Sequence, residues 1–490
     1  MVSIKLAATE SISFHCRMHR ASLLLALIVS LSLSSADTRP NFLMILLDDS
    51  GWTDFGCYGS DIHTPNIDKV AKQGMRFTDC HSAAPNCSPS RTGLLTGRTP
   101  SRVGMYSYIP SNHPMHLPKT EVTIAHLLKQ AGYHTGHFGK WHVAKLLSEQ
   151  PQPSDLGFDY TLGTDNNASP SHHNPGNFIR NGKPVGKTEG YSCQLVVDET
   201  IGWFDQINVG NSDKPFLACV WFHEPHTPIA SPPTLVAKYR RLFPKLKKKE
   251  ATYYANIENV DIAVGRLMDK LNELRIADDT MVFITSDNGP LNAFSKQGLR
   301  GKKSHVWEGG HRVPGIFRWP KRIKAGTVNH TPICGVDYLP TICDIAGVSL
   351  PSERTIDGSS IWPLLQGKQF TRNNPMYWFF YRLLPSTAMR DGDWVIIANT
   401  DDAARPKTHA LIASDMQKIK SSTKLQDFQL FNLKNDRAQE ADLSSAEPAV
   451  LERMKKKLLK FHRGVLNDGP FWDVPTDYAK GKKAKLWHSE

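Results

Sequence analysis

The strongest constraint on this chain is a set of short, almost uninterrupted apolar runs that stop abruptly at polar clusters. Phe42-Leu43-Met44-Ile45-Leu46-Leu47 ends at Asp48-Asp49, and Phe216 to Phe222 leads to His223-Glu224-Pro225-His226. Met281-Val282-Phe283-Ile284 runs into Thr285-Ser286-Asp287-Asn288-Gly289. A strand with one wet face alternates apolar and polar residues. A continuous apolar run marks a strand buried on both faces, as in a parallel sheet covered by helices. Helical patterns lie between the runs. Ile257, Val260, Val264, Leu267, Leu271 and Leu274 recur at spacings of three and four, and Val122 to Gln130 is a shorter case closed by Ala131-Gly132. Strands alternating with helices predict an α/β fold with a mostly parallel sheet between helical layers. Ligands of such sheets gather beyond the carboxyl ends of the strands. The Asp, Asn and His clusters stand at those ends.

The pattern changes near residue 375. Met376 to Leu384 and Ala388 to Ile397 read as strands, the second carrying an Asp391-Gly392-Asp393 turn signal. Gln429 to Leu433 reads as another strand, and a helix follows over Pro448 to His462, with Leu451, Met454, Leu458 and Phe461 on one face. These predict a smaller α+β domain, an antiparallel sheet plus a helix, over 376–470. The polar stretch from Asp401 to Lys424 reads as loop, and 471–490 as a basic tail.

The first 36 residues read as an export signal. Lys5, Arg17 and Arg20 precede an apolar run of 13 residues, Ala21 to Leu33, and Ser34-Ser35-Ala36 supplies small residues for cleavage. That run is shorter than the roughly 20 residues of a membrane span. After cleavage the chain is expected to be exported (secreted, periplasmic or lumenal) and not stably inserted in a membrane, with 37–375 as its main domain. Eight cysteines are present. Loss of Cys16 with the signal leaves Cys57, Cys80, Cys87, Cys193, Cys219, Cys334 and Cys343, and the sequence selects no pairing among them. The net charge is +12, or +10 without the signal. Such an excess favours anionic partners. Neither zinc-finger nor RNA-binding patterns occur, so nucleic acid is not expected.

The most informative stretch is Cys87-Ser88-Pro89-Ser90-Arg91-Thr92-Gly93-Leu94-Leu95-Thr96-Gly97-Arg98. It places a cysteine at the head of a helix, where backbone N–H groups favour an anion. Asp48, Asp49, Asp287 and Asn288 end two far-separated strands, and three carboxylates with a carboxamide form a hard oxygen set suited to Ca²⁺ or Mg²⁺. Gly139-Lys140-Trp141-His142, His226 and the Arg300-Gly301-Lys302-Lys303 loop before Glu308-Gly309-Gly310 add cations and imidazoles.

With C-x-P-S-R followed by L-T-G-R, the chain resembles the sulfatase family of the alkaline-phosphatase-like superfamily, over about Asn41 to Leu443, and looks nearest to the arylsulfatase A and N-acetylgalactosamine-6-sulfatase branch. The later segments Ala388 to Trp394 and Leu430 to Leu433 belong to the same resemblance. It implies a mixed, mostly parallel sheet and hydrolysis of sulfate monoesters on sulfated sugars, polysaccharides or aryl sulfates. It implies that a formylglycine-generating enzyme oxidises Cys87 to formylglycine, whose hydrate attacks sulfur with one hydroxyl and expels sulfate through the other. Asp48, Asp49, Asp287, Asn288 and residue 87 would hold Ca²⁺, with Mg²⁺ as the alternative. Arg91 matches the family arginine, Lys140 would hold the formylglycine oxygens, and His142 would take the proton that starts sulfate release. His226 would stand by the leaving oxygen, and His223 has no assigned role. Counting back from Glu308-Gly309-Gly310 gives Lys303 the sulfate-binding position, although Lys302 precedes it and the register could slip by one.

Two alternatives compete. One is a phosphate or phosphonate ester hydrolase of the same superfamily, but a two-zinc phosphatase would need histidine ligands that Asp287-Asn288-Gly289-Pro290 does not supply. The other is a non-catalytic relative that binds acidic glycans. Lys245 to Lys249 reads as a solvated charge run. His172-His173 fits either a sugar pocket or a surface loop.

Overall fold

The computed structural model describes residues 39–292, 294–295, 298–381, 385–401 and 411–479. The export signal and the tail from residue 480 onward lie outside the described residues. Its strands are β1 (Asn41–Leu47), β2 (Met75–His81), β3 (His134–Lys140), β4 (Tyr160–Thr164), β5 (Ile179–Arg180), β6 (Lys183–Pro184), β7 (Phe216–Trp221), β8 (Thr280–Ser286), β9 (Arg312–Arg318), β10 (Thr327–Asn329), β11 (Ile333–Cys334), β12 (Met376–Phe380), β13 (Ser386–Asp391), β14 (Trp394–Thr400) and β15 (Leu425–Asn432). The helices used below are α1 (Cys87–Thr96), α2 (Ser192–Gln206), α3 (Lys248–Glu273), α4 (Ala413–Ser421) and α5 (Pro448–Asp468).

β1 sits near the middle of an 11-stranded sheet ordered β10-β2-β9-β8-β1-β7-β3-β4-β5-β6, with β11 paired to β2. It runs parallel to both neighbours, β7 and β8, and β3 continues in parallel with β7 and β4. β9 runs antiparallel to β8 and β2, so the sheet is mixed and mostly parallel in its centre, as expected. The apolar runs behave as strands buried on both faces. Phe42, Met44 and Leu46 enter one core layer, while Leu43, Ile45 and Leu47 enter the opposite one. Complete burial of these six side chains contributes on the order of 10 kcal/mol before the entropy of ordering is subtracted. α3 lays Ile257, Val260, Val264, Leu267 and Leu271 on the second face. α1 packs Leu94 and Leu95 into the first.

A second, antiparallel sheet has the order β12-β13-β14-β15. The run read as one strand over Ala388 to Ile397 is two strands folded back on each other, with Asp391 opposite Trp394 and Gly392 at φ 65°. The positive φ suits glycine and lets the turn close. The stretch read as loop contains α4, whose Met416 and Ile419 are buried. A single apolar pair at helical spacing inside a polar stretch is too sparse to announce a helix from sequence. α5 extends past His462 to Asp468, and its Met454, Leu458, Val465 and Leu466 face the core. The first residues read as tail pack inward: Val474 is buried, and the Trp472 indole donates to the Gly104 carbonyl at 2.8 Å. Among the described residues no helix is long and apolar enough to cross a membrane. Seven cysteines, Cys57, Cys80, Cys87, Cys193, Cys219, Cys334 and Cys343, are free thiols.

Candidate active site

The parallel pairing of β1 with β8 sets the centre. Leu47 is in register with Ser286, and the Asp287 N–H donates to the Leu47 carbonyl at 3.0 Å, so Asp48-Asp49 and Asp287-Asn288 leave the sheet side by side. The chain then turns sharply, with Asp49 at φ 68°. A non-glycine residue held in the left-handed region marks a position that the surroundings over-determine. Asp49 is tied down by its N–H donating to Asp287 Oδ1 at 3.2 Å, and by Asn288 Nδ2 donating to its Oδ1 at 2.7 Å. Behind it, Asp54 Oδ2 accepts from the Gly51 N–H and the Tyr253 hydroxyl, both at 2.6 Å.

α1 delivers Cys87 to this centre. Cys87 is the first residue of the helix, is 2% exposed, and its thiol donates to Asp48 Oδ1 at 3.7 Å. One turn later Arg91 reaches back. Its Nε and one terminal nitrogen donate to Asp287 Oδ2 at 3.0 and 2.8 Å, and the other terminal nitrogen donates to the Lys140 carbonyl at 2.7 Å. The guanidinium lies 5.3 Å from the Trp221 ring, a cation–π packing. Lys140, the last residue of β3, places Nζ 2.5 Å from Asp48 Oδ2. Just before it, Gly139 has φ 107°, and a Cβ there would stand 1.9 Å from the Trp221 carbonyl oxygen.

Lys303 and His226 close the outer side. Lys303 Nζ is 2.6 Å from Asp49 Oδ1, so the lysine that enters the cluster is Lys303, with its N–H anchored on the Pro290 carbonyl. His226 Nδ1 lies 2.6 Å from the Thr227 carbonyl, and a carbonyl only accepts. Nδ1 therefore carries the proton, and Nε2 points inward, 3.8 Å from Asp49 Oδ2. The same reasoning applies to His142. Its Nε2 must donate to the Ile109 carbonyl at 3.1 Å, which leaves Nδ1 as a buried acceptor without a hydrogen-bond partner. His142 also has positive φ, 51°. His223 is buried, with Nε2 2.9 Å from the Thr164 hydroxyl. His172 is buried against the Asn256 side chain, whereas His173 is exposed and lies on Tyr191.

Three carboxylates, Asp48, Asp49 and Asp287, thus face three cations, Arg91, Lys140 and Lys303. Burial works to raise the Asp48 carboxyl, but Lys140, with His226, Arg91 and Lys303, holds it well below the usual range. Burial, and then the Asp48 charge, raise Asp287 against the pull of Arg91 and Lys140. Burial lowers His142 well below an ordinary imidazole, with Lys140 adding to the effect, and lowers His226 to about 4, with Lys303 adding. Burial pushes the Cys87 thiol up to about 12 although Lys140 and Lys303 oppose it. A thiol in that state is protonated and a poor nucleophile.

Ligand oxygens of Asp48, Asp49 and Asp287 all lie within 4.8 Å of one another. Asp49 Oδ2 and Asn288 Oδ1 are buried with no hydrogen-bond partner. Buried oxygens seldom stay unsatisfied, and a hard cation would satisfy both. The residues present therefore fit a divalent ion.

Sequence reasoning named the groups that point into this centre. It missed those that aim them: Trp221 beneath Arg91, Tyr253 and Asp54 behind Asp49, and the Ile109 and Thr227 carbonyls that fix two imidazoles. Asp54 lay within a readable Asp-Ser-Gly-Trp-Thr-Asp loop, but its bond to Tyr253 spans 199 residues and left no local signal.

Comparison with known proteins agrees with this geometry. Residues 40–348 match the family model for sulfatases, and residues 301–463 match that for the C-terminal part of N-sulphoglucosamine sulphohydrolase. The chain is 34% identical to N-acetylgalactosamine-6-sulfatase of Canis lupus familiaris over 389 residues, covering 72% of this chain and 70% of that protein. It is 30% identical to human steryl-sulfatase, covering 71% and 73%. The solved structure of Ps i-CgsB in complex with k-i-k-neocarrahexaose superposes with a TM-score of 0.75 at 28% identity, covering 89% of this chain and 95% of that one. The chain belongs to the sulfatase family and is a sulfuric ester hydrolase.

Proposed function

We propose that the chain removes sulfate from sulfated carbohydrates, with residue 87 as the nucleophile after oxidation of its cysteine to formylglycine. The observation that carries this reading is the position of Cys87: the first residue of a buried helix, against Asp48, inside a ring of three carboxylates and three cations. Relatives named N-acetylgalactosamine-6-sulfatase and a structural neighbour solved in complex with k-i-k-neocarrahexaose support a sugar sulfate as substrate.

Asp48, Asp49, Asp287 and Asn288 would hold the metal ion, Ca²⁺ in this reading, which when bound would supply charge to neutralise sulfate oxygens and lower the pKa of a coordinated hydroxyl. The other residues divide the remaining work. Arg91 bridges Asp287 to the Lys140 backbone and so fixes α1 against the oxygen cluster. Lys140 and Lys303 each spend one N–H on a carboxylate and keep two for sulfate oxygens. His142 offers the unpartnered Nδ1 as a proton acceptor, and His226 turns Nε2 inward, 3.8 Å from Asp49 Oδ2, where it would stand beside the leaving oxygen. A formylglycine-generating enzyme is the implied maturation partner, and the leader over 1–36 the implied route of export.

The test is direct. Mass spectrometry of the peptide around residue 87 in active enzyme should find an aldehyde where the thiol was, and nitrophenyl sulfate should be turned over far faster than nitrophenyl phosphate. A fully active enzyme with an intact Cys87 thiol would overturn the mechanism, and dominant phosphate turnover would overturn the activity.

A further inference from the structure

The positive charge of this chain is only partly used at the active site. Another share is concentrated on α5, where six cations accompany two carboxylates. Arg453, Lys456, Lys457, Lys460 and Arg463 follow a spacing of three, one, three and three, which puts them along one side of the helix, and all five are exposed. The opposite side carries Met454, Leu458, Val465 and Leu466 into the core, so the helix cannot rotate to hide the cations. The row extends for about 15 Å at the helical rise. Among the described residues only Lys457 of this row forms an ion pair, with Asp391 at the end of β13.

Beside the row lies a cleft of about 840 Å³ between α5 and the segment leading into β12. Lys457, Lys460 and Phe461 form one wall, and Phe370, Arg372 and Asn373 are on the other. Its three arginines are held in place by buried carboxylates: Arg102 by Asp357, Arg372 by Asp337 and Arg390 by Asp79. Arg372 Nε has no hydrogen-bond partner. Thr and Asn side chains and a bank of cations supply donors for hydroxyl and sulfate oxygens. A nucleic-acid surface would be expected to carry more flat stacking rings than these two phenylalanines, both of which already have an arginine over them.

This surface is not the catalytic centre. Cys87 heads α1, whereas Gly97, beyond the far end of that helix, accepts the N–H groups of Asp357 and Gly358, and Asp357 lines the cleft. The ten residues of α1 separate the two regions by about 15 Å.

We propose that the cation row of α5 and the adjoining cleft form a second binding surface for an extended sulfated polysaccharide, which tethers a polymeric substrate while one sulfate is removed at the centre. This rests on the sulfatase reading for the use of the tether, but not for its existence.

The experiment uses the full-length enzyme, dextran sulfate as the binding probe, and a triple variant, Lys456→Ala, Lys460→Ala and Arg463→Ala. Among the described residues none of the three has an ion-pair partner, so folding should be retained, and circular dichroism checks this. Three exposed charges should weaken dextran sulfate binding by about tenfold at physiological salt. KM for a sulfated polysaccharide should rise while turnover of nitrophenyl sulfate stays unchanged. Binding is also measured on Cys87→Ala protein, which should bind dextran sulfate as the parent does. That arm separates failure of the tether from failure of the catalytic reading. The proposal is overturned if the triple variant binds dextran sulfate as tightly as the parent, or if duplex DNA of equal charge binds the row more tightly than dextran sulfate.

Discussion

Asp49 shows how much of this centre is decided by single residues. Its backbone is held at φ 68° and its carboxylate is shared between Asn288 and Lys303, which leaves Oδ2 aimed inward and unsatisfied. The residue types were legible in the sequence because each chemical role demands a side chain that few others can replace. The division of labour between adjacent lysines was not legible, since one residue of slippage in a loop reverses it. The fold brings Lys303 to Asp49, with its N–H bonded to the Pro290 carbonyl. Lys303→Ala should therefore lower kcat/KM on nitrophenyl sulfate by about 10²-fold, the scale of a lost oxyanion donor. Lys302→Ala should stay within about twofold, as surface substitutions do. Equal losses from both would remove the sulfate-contact role from Lys303. Cys87→Ala should abolish turnover by at least about 10³-fold with little change in Tm, because it deletes the proposed nucleophile from a site whose framework is held by other groups.

At the scale of elements, the sheet does what the apolar runs require, and the strand ends bring Asp48 and Asp287 together across 239 residues of sequence. The existence of β1, β7 and β8 could be read from composition alone. Their order could not, because register between distant strands is fixed by packing on both faces and not by any local pattern. The hairpin at Gly392 was half-legible: the turn signal was seen, but two strands of one apolar character looked like one. Gly139 offers an element-level test. It sits where β3 and β7 approach so closely that a Cβ would be 1.9 Å from a carbonyl oxygen, with φ 107° besides. Gly139→Ala should destabilise the fold by about 3 kcal/mol or more, read by denaturant unfolding. It should also displace Lys140, so activity measured well below Tm should fall as well. A variant of parental stability would show that the strands can part at no cost.

For the whole molecule, the proposed ion site in the oxygen cluster would link folding to ion binding. The three carboxylates come from two strand ends that only the complete sheet assembles, so an ion bound there stabilises the native state and not the unfolded chain. Chelation should lower Tm and abolish activity together, and Ca²⁺ should restore both. At an ion concentration of 100 times Kd the linkage is about 2.7 kcal/mol. Loss of activity with no shift in Tm would place the chelated ion elsewhere.

The burial of α1 imposes an order of events in time. All ten of its residues are buried, from Cys87 to Thr96, and the helix packs against the helical segments at Pro100–Val103, Ile124–Gln130 and Tyr338–Ala346. Once that packing is complete, no second enzyme can take the Cys87 segment into its own cleft without unfolding the centre of the molecule. On the proposed mechanism, oxidation of Cys87 would have to precede collapse, while the chain is still emerging or held open. Protein refolded with its thiol intact should stay unconverted when mixed with the maturing enzyme, whereas the unfolded chain or a short peptide spanning 82–98 should be converted. On that reading biosynthesis would have a single window for activating each molecule, and a chain that folds first would be stable, correctly built and inert.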